Sequence, residues 1–347
     1  SKIAVLRTNK RNYFIGENVK ISTLIINENQ SEDNRVRITV NKLFKNKKEL
    51  IYNNNKIYEI KNGINDIGNI NLGKDLVPSE YDLDVTLTKS NIIEYQTSIR
   101  FNVFHLPKHN QNLNVAVLKD DKRIISFFNK YGIKYEIFSK NTNVNTTVIV
   151  NESDTDFYSS KDGNIVEKNN EDSLTDYSEL MNEINKFAFQ GGNVIFLKIP
   201  GKTRKRIGPN LTFVADGVDY LPSKPIKNIS QGLWDGILHI NSKHPFFNKL
   251  PVNVNMSGIY ENIAPTISLR NFKGKNIVQT IAFDRIPNGN ILKRNYIGSG
   301  EVWSGSDLSI VKHGKGKMVL STLKLLENLN YDPVSEIVLF NMINYFK

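Results

Sequence analysis

Residues 180–197 read LMNEINKFAFQGGNVIFL, and this stretch decides the fold of the second half of the chain. Its apolar residues recur at the spacing of a helix with one buried face: Leu180, Met181, Ile184 and Phe187. The double glycine at 191–192 ends that helix, and Asn193–Leu197 has the continuous apolar character of a strand buried on both faces. The stretch predicts a helix over Leu174–Phe189 that leads into a strand of a parallel sheet.

The same alternation extends toward the start of the chain. Val115–Leu118 is an apolar run typical of a buried strand, and Lys122–Tyr131 has helical spacing and is followed by Gly132, a favourable C-cap. Further strands are predicted at Ile133–Phe138, Thr146–Val150, Gly236–Ile240, Ile277–Phe283 and Lys317–Ser321, with a closing helix from Pro333. Strands that alternate with helices predict an α/β doubly wound, flavodoxin-like domain over residues 114–347.

Residues 1–105 follow a different period. Apolar and polar residues alternate there, as in Tyr81, Leu83, Val85 and Leu87, which is typical of a half-buried antiparallel strand. Turn residues at 15–18, 53–55 and 62–63 separate seven or eight such strands. We therefore expect an all-β, immunoglobulin-like sandwich over 1–105 and a polar linker over 106–113.

Composition excludes several kinds of chemistry. The 347 residues include no cysteine, so cysteine nucleophiles, thiolate zinc sites and disulfides are ruled out. The net charge is +11, with its sharpest cluster at residues 202–206, but basic and aromatic residues are not interleaved. We interpret the charge as solvated surface and expect no nucleic-acid partner; an anionic polysaccharide is an alternative partner. No apolar run is long enough for a membrane span.

Several segments together resemble a known family. They are the stretch Met181–Leu197, the opening Tyr13–Val19, the motif His244–Pro251, the run Gly314–Ser321, and the ending Leu325–Leu329 with Asp332–Val334. Taken in their order along the chain, they resemble the C-terminal region of glycoside hydrolase family 2, β-galactosidase-like proteins of bacteria. There, an immunoglobulin-like module and a class I glutamine-amidotransferase-like module, similar to trehalose-utilisation proteins, follow the catalytic barrel.

The resemblance implies that this region carries no catalytic residue. A barrel needs roughly 250 residues of its own and has no counterpart here. The acidic pairs Asp154 with Asp156 and Glu171 with Asp172 lie in the polar segment 151–172, which is predicted to be a loop. Active amidotransferase-like domains place a cysteine on a strained turn after the strand that ends here at Leu197. We expect no cofactor and no metal site.

The resemblance also implies a role and partners. We expect a non-catalytic accessory region of an exported glycoside hydrolase, which supports an upstream catalytic barrel, shapes its cleft or mediates association with a second copy. Trp234, Tyr260 and Trp303 are candidates for stacking on carbohydrate, and His244 is a further candidate site residue. Packing in the core is the alternative role for all four. Two other functions stay open: a free-standing carbohydrate-binding protein, and an enzyme with a non-cysteine site near Lys198 and His244.

Overall fold

The computed structural model shows two compact units, each described here by itself. The first comprises Ser1–Pro107 with Asp332–Val334, and the second comprises Lys108–Tyr331 with Ser335–Lys347. The structure describes residues 1–44, 47–108, 113–152, 157–159, 165–167, 174–199, 201–207, 212–217, 227–230, 235–265, 267–270, 274–284 and 302–346. Within these residues, no helix combines the length and apolar character that crossing a bilayer requires.

The described residues of the first unit form eight strands in two sheets. The strands are β1 (Lys2–Thr8), β2 (Asn12–Phe14), β3 (Lys20–Asn27), β4 (Glu32–Phe44), β5 (Lys47–Ile60), β6 (Gly63–Asn71), β7 (Ser79–Lys89) and β8 (Ile92–Phe104). One sheet has the order β1-β3-β6 and the other β2-β8-β7-β4-β5. All pairs are antiparallel except β2 with β8. The alternation seen in the sequence directs one face of each sheet into a shared core, which includes Ile21, Ile38 and Leu83.

The turn predicted at residues 53–55 is wrong. Asn53, Asn54 and Asn55 lie inside the 14-residue strand β5 and pair with Thr39, Ile38 and Arg37 of β4. In the part of the chain that the structure describes, strand β5 is bonded only to β4 and forms the edge of its sheet. The asparagine side chains therefore stay in or near water, and the low strand propensity of asparagine costs little there.

A buried lysine links the two sheets of the first unit. The side chain of Lys2, on β1, is only 5% exposed, and its Nζ bonds the Glu94 Oε2 of β8 at 2.7 Å. Lys2 also contacts Glu32 of β4, which in turn contacts Lys89. The hydrogen bond from Lys2 holds the pKa of Glu94 below its usual value. Lys2 is therefore the positive centre of a charged network whose carboxylates belong to the opposite sheet.

The second unit is built around one large, mixed sheet. Its parallel part has the order β10-β9-β11-β14-β22. The parallel strands and the helices of the unit are β9 (Asn114–Val117), α1 (Lys122–Tyr131), β10 (Lys134–Ile137), β11 (Thr147–Val150), α2 (Leu174–Gln190), β14 (Asn193–Phe196), β22 (Gly316–Ser321), α3 (Leu325–Asn328) and α4 (Pro333–Tyr345). The apolar stripe of α2 packs on this sheet, with Met181, Ile184 and Phe187 in one core with Val148 and Val194.

The other described strands of the second unit pair in antiparallel fashion, so the unit contains more sheet than the sequence indicates. They are β12 (Phe157–Ser159), β13 (Ile165–Glu167), β15 (Gly201–Ile207), β16 (Thr212–Gly217), β17 (Lys227–Ser230), β18 (Asp235–Asn241), β19 (Ile267–Arg270), β20 (Lys275–Asp284) and β21 (Val302–His313). Strands β12 and β13 pair within the segment expected to be a loop, 151–172. Strand β21 joins the antiparallel strands to β22. The described residues thus form a β-rich protein with few helices.

The hairpin between β21 and β22 lies directly on the end of α2. The amide of Lys315 donates to the carbonyl of Phe189 at 3.0 Å. A Cβ at Gly316 would overlap the carbonyl oxygens of Gly192 and Ala188, well inside van der Waals contact. The main chain of the hairpin therefore approaches the main chain at the end of α2 so closely that position 316 needs a residue without a side chain.

Candidate functional site

The carboxyl ends of the parallel strands form the edge at which open α/β sheets bind ligands. We call this edge, formed by the ends of β9, β11, β14 and β22, the carboxyl edge. The strand order reverses at β9, since the chain passes from β9 to β10 on one side and then to β11 on the other. A ligand crevice is therefore expected between the ends of β9 and β11.

That crevice is bridged by protein groups. Asn151, which follows β11 and is 6% exposed, donates from Nδ2 to the Lys119 carbonyl at 2.7 Å, and Lys119 N donates to Asn151 Oδ1 at 3.4 Å. The Lys119 Nζ then bonds Glu152 Oε1 at 2.9 Å on the outside. The side-chain amide of Asn151 thus hydrogen-bonds the main-chain N–H and C=O of Lys119, which would otherwise be available to a ligand in the crevice.

The next position along the carboxyl edge is the turn after β14, where the sequence analysis looked for a nucleophile. Lys198 stands there and forms an ion pair with Glu327 of α3. The amides of Leu197 and Lys198 both donate to the carbonyl of Val150, at 3.0 and 3.2 Å. Lys198 is not among the residues with positive φ, so the strained backbone of a nucleophile turn is absent at this residue.

Beyond the end of β22 lies a buried polar cluster that the sequence analysis missed. We name it the Asp307 cluster, and it consists of His239, Ser268, Thr280 and Asp307. Asp307 is fully buried; its Oδ1 accepts from Ser268 Oγ at 2.5 Å, and its Oδ2 accepts from Thr280 Oγ1 and contacts His239 Nδ1 at 2.8 Å. Ser268 Oγ and Thr280 Oγ1 are 2.8 Å apart. Three groups therefore solvate one buried carboxylate.

A β-bulge places Asp307 in this position. Pairing between β20 and β21 skips it, since Gln279 lies opposite Ser306 and Val278 lies opposite Leu308. The extra residue of a bulge breaks the alternation of side chains, so its side chain is aimed differently from its neighbours. The sequence analysis predicts no strand around residue 307, and the hydrogen-bonded members of the cluster lie 12 to 68 positions apart in the sequence, so no local pattern revealed the cluster.

Asp307 also lies where the neighbour of β21 changes. From Leu308 onward β21 pairs with β22, beginning opposite Ser321, whereas at Ser306 it pairs with Leu269 of β19. The cluster therefore draws on four strands, β18, β19, β20 and β21, at the point where the parallel part of the sheet meets the antiparallel part.

The chemistry of the Asp307 cluster differs from that of a hydrolytic triad. An ionised carboxylate can only accept hydrogen bonds, so toward an ionised Asp307 the His239 Nδ1, 2.8 Å away, would be the donor. In a triad the nucleophile gives its proton to the histidine, whereas here Ser268 and Thr280 both direct their hydroxyl protons to the carboxylate. Among the described residues, no group of three His, Asp or Glu side chains is arranged to hold a metal ion. The arrangement stabilises a buried charge.

The side chains of two of the four predicted site residues, Trp234 and Trp303, lie outside the described part of the structure. Trp234 lies outside the described residues. Trp303 lies on β21 opposite Ala282, and its side chain is outside the described part. The acidic pairs considered in the sequence, Asp154 with Asp156 and Glu171 with Asp172, also lie outside the described residues. Carbohydrate stacking by Trp234 and Trp303 stays a prediction.

Tyr260 is a fully buried residue. Its hydroxyl donates to the Pro251 carbonyl at 2.5 Å, and its ring packs edge-on against Phe247 with 5.8 Å between centroids. Burial raises the pKa of the Tyr260 hydroxyl well above its usual value. Stacking on a sugar needs an accessible ring face, so the packing favours a core role for Tyr260.

His244 caps a short 3₁₀ helix, Pro245–Phe247. Its Nδ1 accepts from the Phe246 amide at 3.3 Å, and its ring packs on those of Phe246 and Tyr345 at 4.4 and 5.2 Å between centroids. Burial, assisted by the charge of Lys275, lowers the pKa of His244 to about 4. The imidazole is therefore neutral at pH 7 and serves as an acceptor.

The structure does not bring His244 and Lys198 together. His244 packs on Tyr345, at the end of α4, and the Lys317 Nζ lies 5.5 Å from the same tyrosine ring. Lys317 pairs with Asn193 at the amino end of β14, whereas Lys198 follows the carboxyl end of that strand. The two residues belong to opposite ends of the parallel sheet.

Comparisons with known proteins give no family. No family model and no curated protein matches the chain. Solved structures similar to part of it include a β-glucosidase from Erythrobacter marinus, with 11% identity and a TM-score of 0.24 over 30% of this chain and 15% of that one. Others are a CARDB domain from Pyrococcus furiosus, with 10% identity and a TM-score of 0.24 over 30% and 88%, and the E. coli curli protein CsgC, with 14% and 0.22 over 29% and 97%.

Proposed function

We propose that this chain is a non-catalytic accessory region of an exported bacterial glycoside hydrolase of family 2. In this proposal the first unit is the immunoglobulin-like module and the second unit is the amidotransferase-like module. The strand order β10-β9-β11-β14-β22 supports the second assignment, because it is the 2-1-3-4-5 order of doubly wound, flavodoxin-like domains. The two sheets that share one core support the first.

The observation that carries the proposal is the bridged crevice at the carboxyl edge. A doubly wound enzyme needs backbone groups at this point that are open to a ligand. Here Asn151 uses both its amide nitrogen and its amide oxygen on the main chain of Lys119. An accessory module has no need of an open crevice, whereas an enzyme of this fold does.

Lys198 at the carboxyl edge and Asp307 beyond the end of β22 also favour a structural role. Lys198 replaces the nucleophile and is neutralised by Glu327. Asp307 is fully buried, and its carboxylate is occupied by hydroxyl and imidazole groups of the protein. Catalytic acids and bases need a substrate within hydrogen-bond reach, and a carboxylate already solvated by three protein groups is poorly placed for that task.

The proposed role of the region is structural. By resemblance, its partner is a catalytic barrel of the same polypeptide, which it supports or whose cleft it shapes, and a second copy is a further candidate partner. We interpret the net charge of +11 as solvated surface charge and propose no nucleic-acid partner.

The test is turnover by the purified chain. Aryl β-galactosides and aryl β-glucosides probe glycoside hydrolysis, and L-glutamine probes amide hydrolysis. We expect rates at the level of buffer for all of these compounds, and the same rates for Lys198→Ala. Turnover above buffer that is lost in Lys198→Ala or Asp307→Asn would overturn the proposal, because contaminating enzymes would not respond to substitutions in this chain.

A further inference from the structure

An open groove runs along the second half of α2, away from the carboxyl edge. Its volume is 410 Å³, and it is lined by Asn182, Asn185, Lys186, Phe189, Gln190 and His313. Five of the six residues come from one surface of α2, and His313 comes from the end of β21.

Phe189 is the most unusual residue of this groove. The residue is 62% exposed, although Phe187, two residues earlier, is buried in the core. The Phe189 carbonyl accepts from Lys315 N at 3.0 Å, and a Cβ at Gly314 would lie 2.7 Å from Phe189 Cδ2. The aromatic residue is thus fixed by the hairpin behind it while its ring stays in contact with water. A ring fixed before binding costs less entropy when a ligand is bound.

His313 orders the other side of the groove. Its ring lies edge-on to that of Phe189, with 5.7 Å between centroids, and hydrogen-bonds the main-chain carbonyl of Asn185. Burial lowers the pKa of His313 below its usual value, so the imidazole is neutral at pH 7. The hydrogen bond to Asn185 opposes this shift and is the smaller influence.

The remaining groups of the groove are neutral or neutralised. Asn182 and Gln190 are exposed and have planar amides that both donate and accept hydrogen bonds. The charge of Lys186 is compensated by Glu183, one turn earlier on α2, with Nζ and Oε1 2.6 Å apart. The lining contains no carboxylate. An anionic or cationic ligand therefore gains little from this groove.

We propose that this groove binds a neutral saccharide, with one sugar ring against Phe189 and hydrogen bonds from its hydroxyl groups to the amide of Gln190, while a neighbouring ring of the same saccharide reaches the amide of Asn182, about 10 Å away along the helix. The C–H bonds on a sugar face carry partial positive charge and are attracted to the negative face of an aromatic ring. A shallow groove with one aromatic ring gives weak binding, with a Kd of about 0.1–1 mM. The inference deepens the proposed accessory function, since it gives the region a carbohydrate ligand.

The experiment measures binding to the whole chain by saturation-transfer NMR. The probes are cellohexaose, mannohexaose and β-1,4-galactohexaose, with polygalacturonate as the anionic comparison. Phe189→Ala removes the proposed platform. Phe44→Ala is the matched control, because it deletes another phenylalanine that is 60% exposed but belongs to the first unit.

We expect at least one neutral hexaose to bind, Phe189→Ala to weaken that binding about tenfold or more, and Phe44→Ala to leave it within about twofold. Absence of binding to all three hexaoses, equal binding by wild type and Phe189→Ala, or preference for polygalacturonate would each overturn the inference. Turnover plays no part in this experiment. Failure here therefore leaves the non-catalytic proposal standing, and turnover by the chain leaves this result unaffected.

Discussion

Replacing Asp307 by asparagine tests whether the Asp307 cluster stabilises the second unit. The substitution keeps the size of the side chain and removes its charge. Asp307 accepts from Ser268 and Thr280 and contacts His239, and all of these groups are buried. A hydrogen bond to a charged group contributes roughly 1.5–3 kcal/mol, against about 1 kcal/mol for a neutral pair. Three weakened bonds give an expected loss of about 3 kcal/mol in the free energy of unfolding.

Urea unfolding followed by tryptophan fluorescence measures this loss. Both tryptophans of the chain, Trp234 and Trp303, fall within Lys108–Tyr331, so the signal reports the second unit. Asp120→Asn makes the same chemical change at an exposed residue of that unit and should alter the free energy of unfolding by no more than about 0.5 kcal/mol. A loss below about 1 kcal/mol for Asp307→Asn, or equal losses for both variants, would refute the reasoning.

Three further changes give distinct results. Lys2→Met should cost about 1 kcal/mol of unfolding free energy, because Glu94, whose side chain is 29% exposed, loses its ion pair but keeps the hydrogen bond from Asn34; calorimetry measures this, and an unchanged melting temperature would contradict it. His244→Asn keeps an acceptor at the cap but does not titrate. The folded-state pKa of about 4 lies below the unfolded value of about 6.5, so the unfolded state binds more protons between these values. The stability from His244 is complete above pH 6.5 and declines as the pH falls toward 4. Wild type should lose about 2 kcal/mol more than His244→Asn between pH 7 and pH 5 in urea unfolding, and equal losses would argue against a depressed pKa. Gly316→Ala places a methyl group against the Gly192 carbonyl and should cost about 3 kcal/mol or prevent folding, which circular dichroism detects; a variant as stable as wild type would refute this close approach.

Elements with strong local signals could be predicted from the sequence. Helix α1 covers Lys122–Tyr131 as expected, with Asp121 accepting from the Arg123 amide at its start and Gly132 in the left-handed conformation at its end. These features are encoded within a few residues, so neighbouring parts of the chain do not alter them. The strands expected at residues 115–118 and 193–197 are also present, because they are apolar on both faces.

Features that depend on distant partners could not be predicted. Asn53–Asn55 contains residues typical of a turn, yet pairing with β4 holds it extended. The Asp307 cluster brings together residues from four strands, and a bulge re-aims its central carboxylate. The bridge from Asn151 to Lys119 spans 32 positions of sequence and exists only because β9 and β11 are neighbours. Local patterns identify strands, but the contacts at their ends depend on which strands are adjacent.

The most direct test of the closed carboxyl edge is hydrogen exchange of the Asn151 side-chain amide, measured by NMR. We predict protection of at least about 100-fold over a free amide, which corresponds to about 2.8 kcal/mol for opening the bond to Lys119. We also predict no change in the Asn151 signal when L-glutamine or aryl glycosides are added. Exchange at the rate of a free amide, or a shift of the Asn151 signal on addition of these compounds, would contradict the closed crevice and the non-catalytic role built on it.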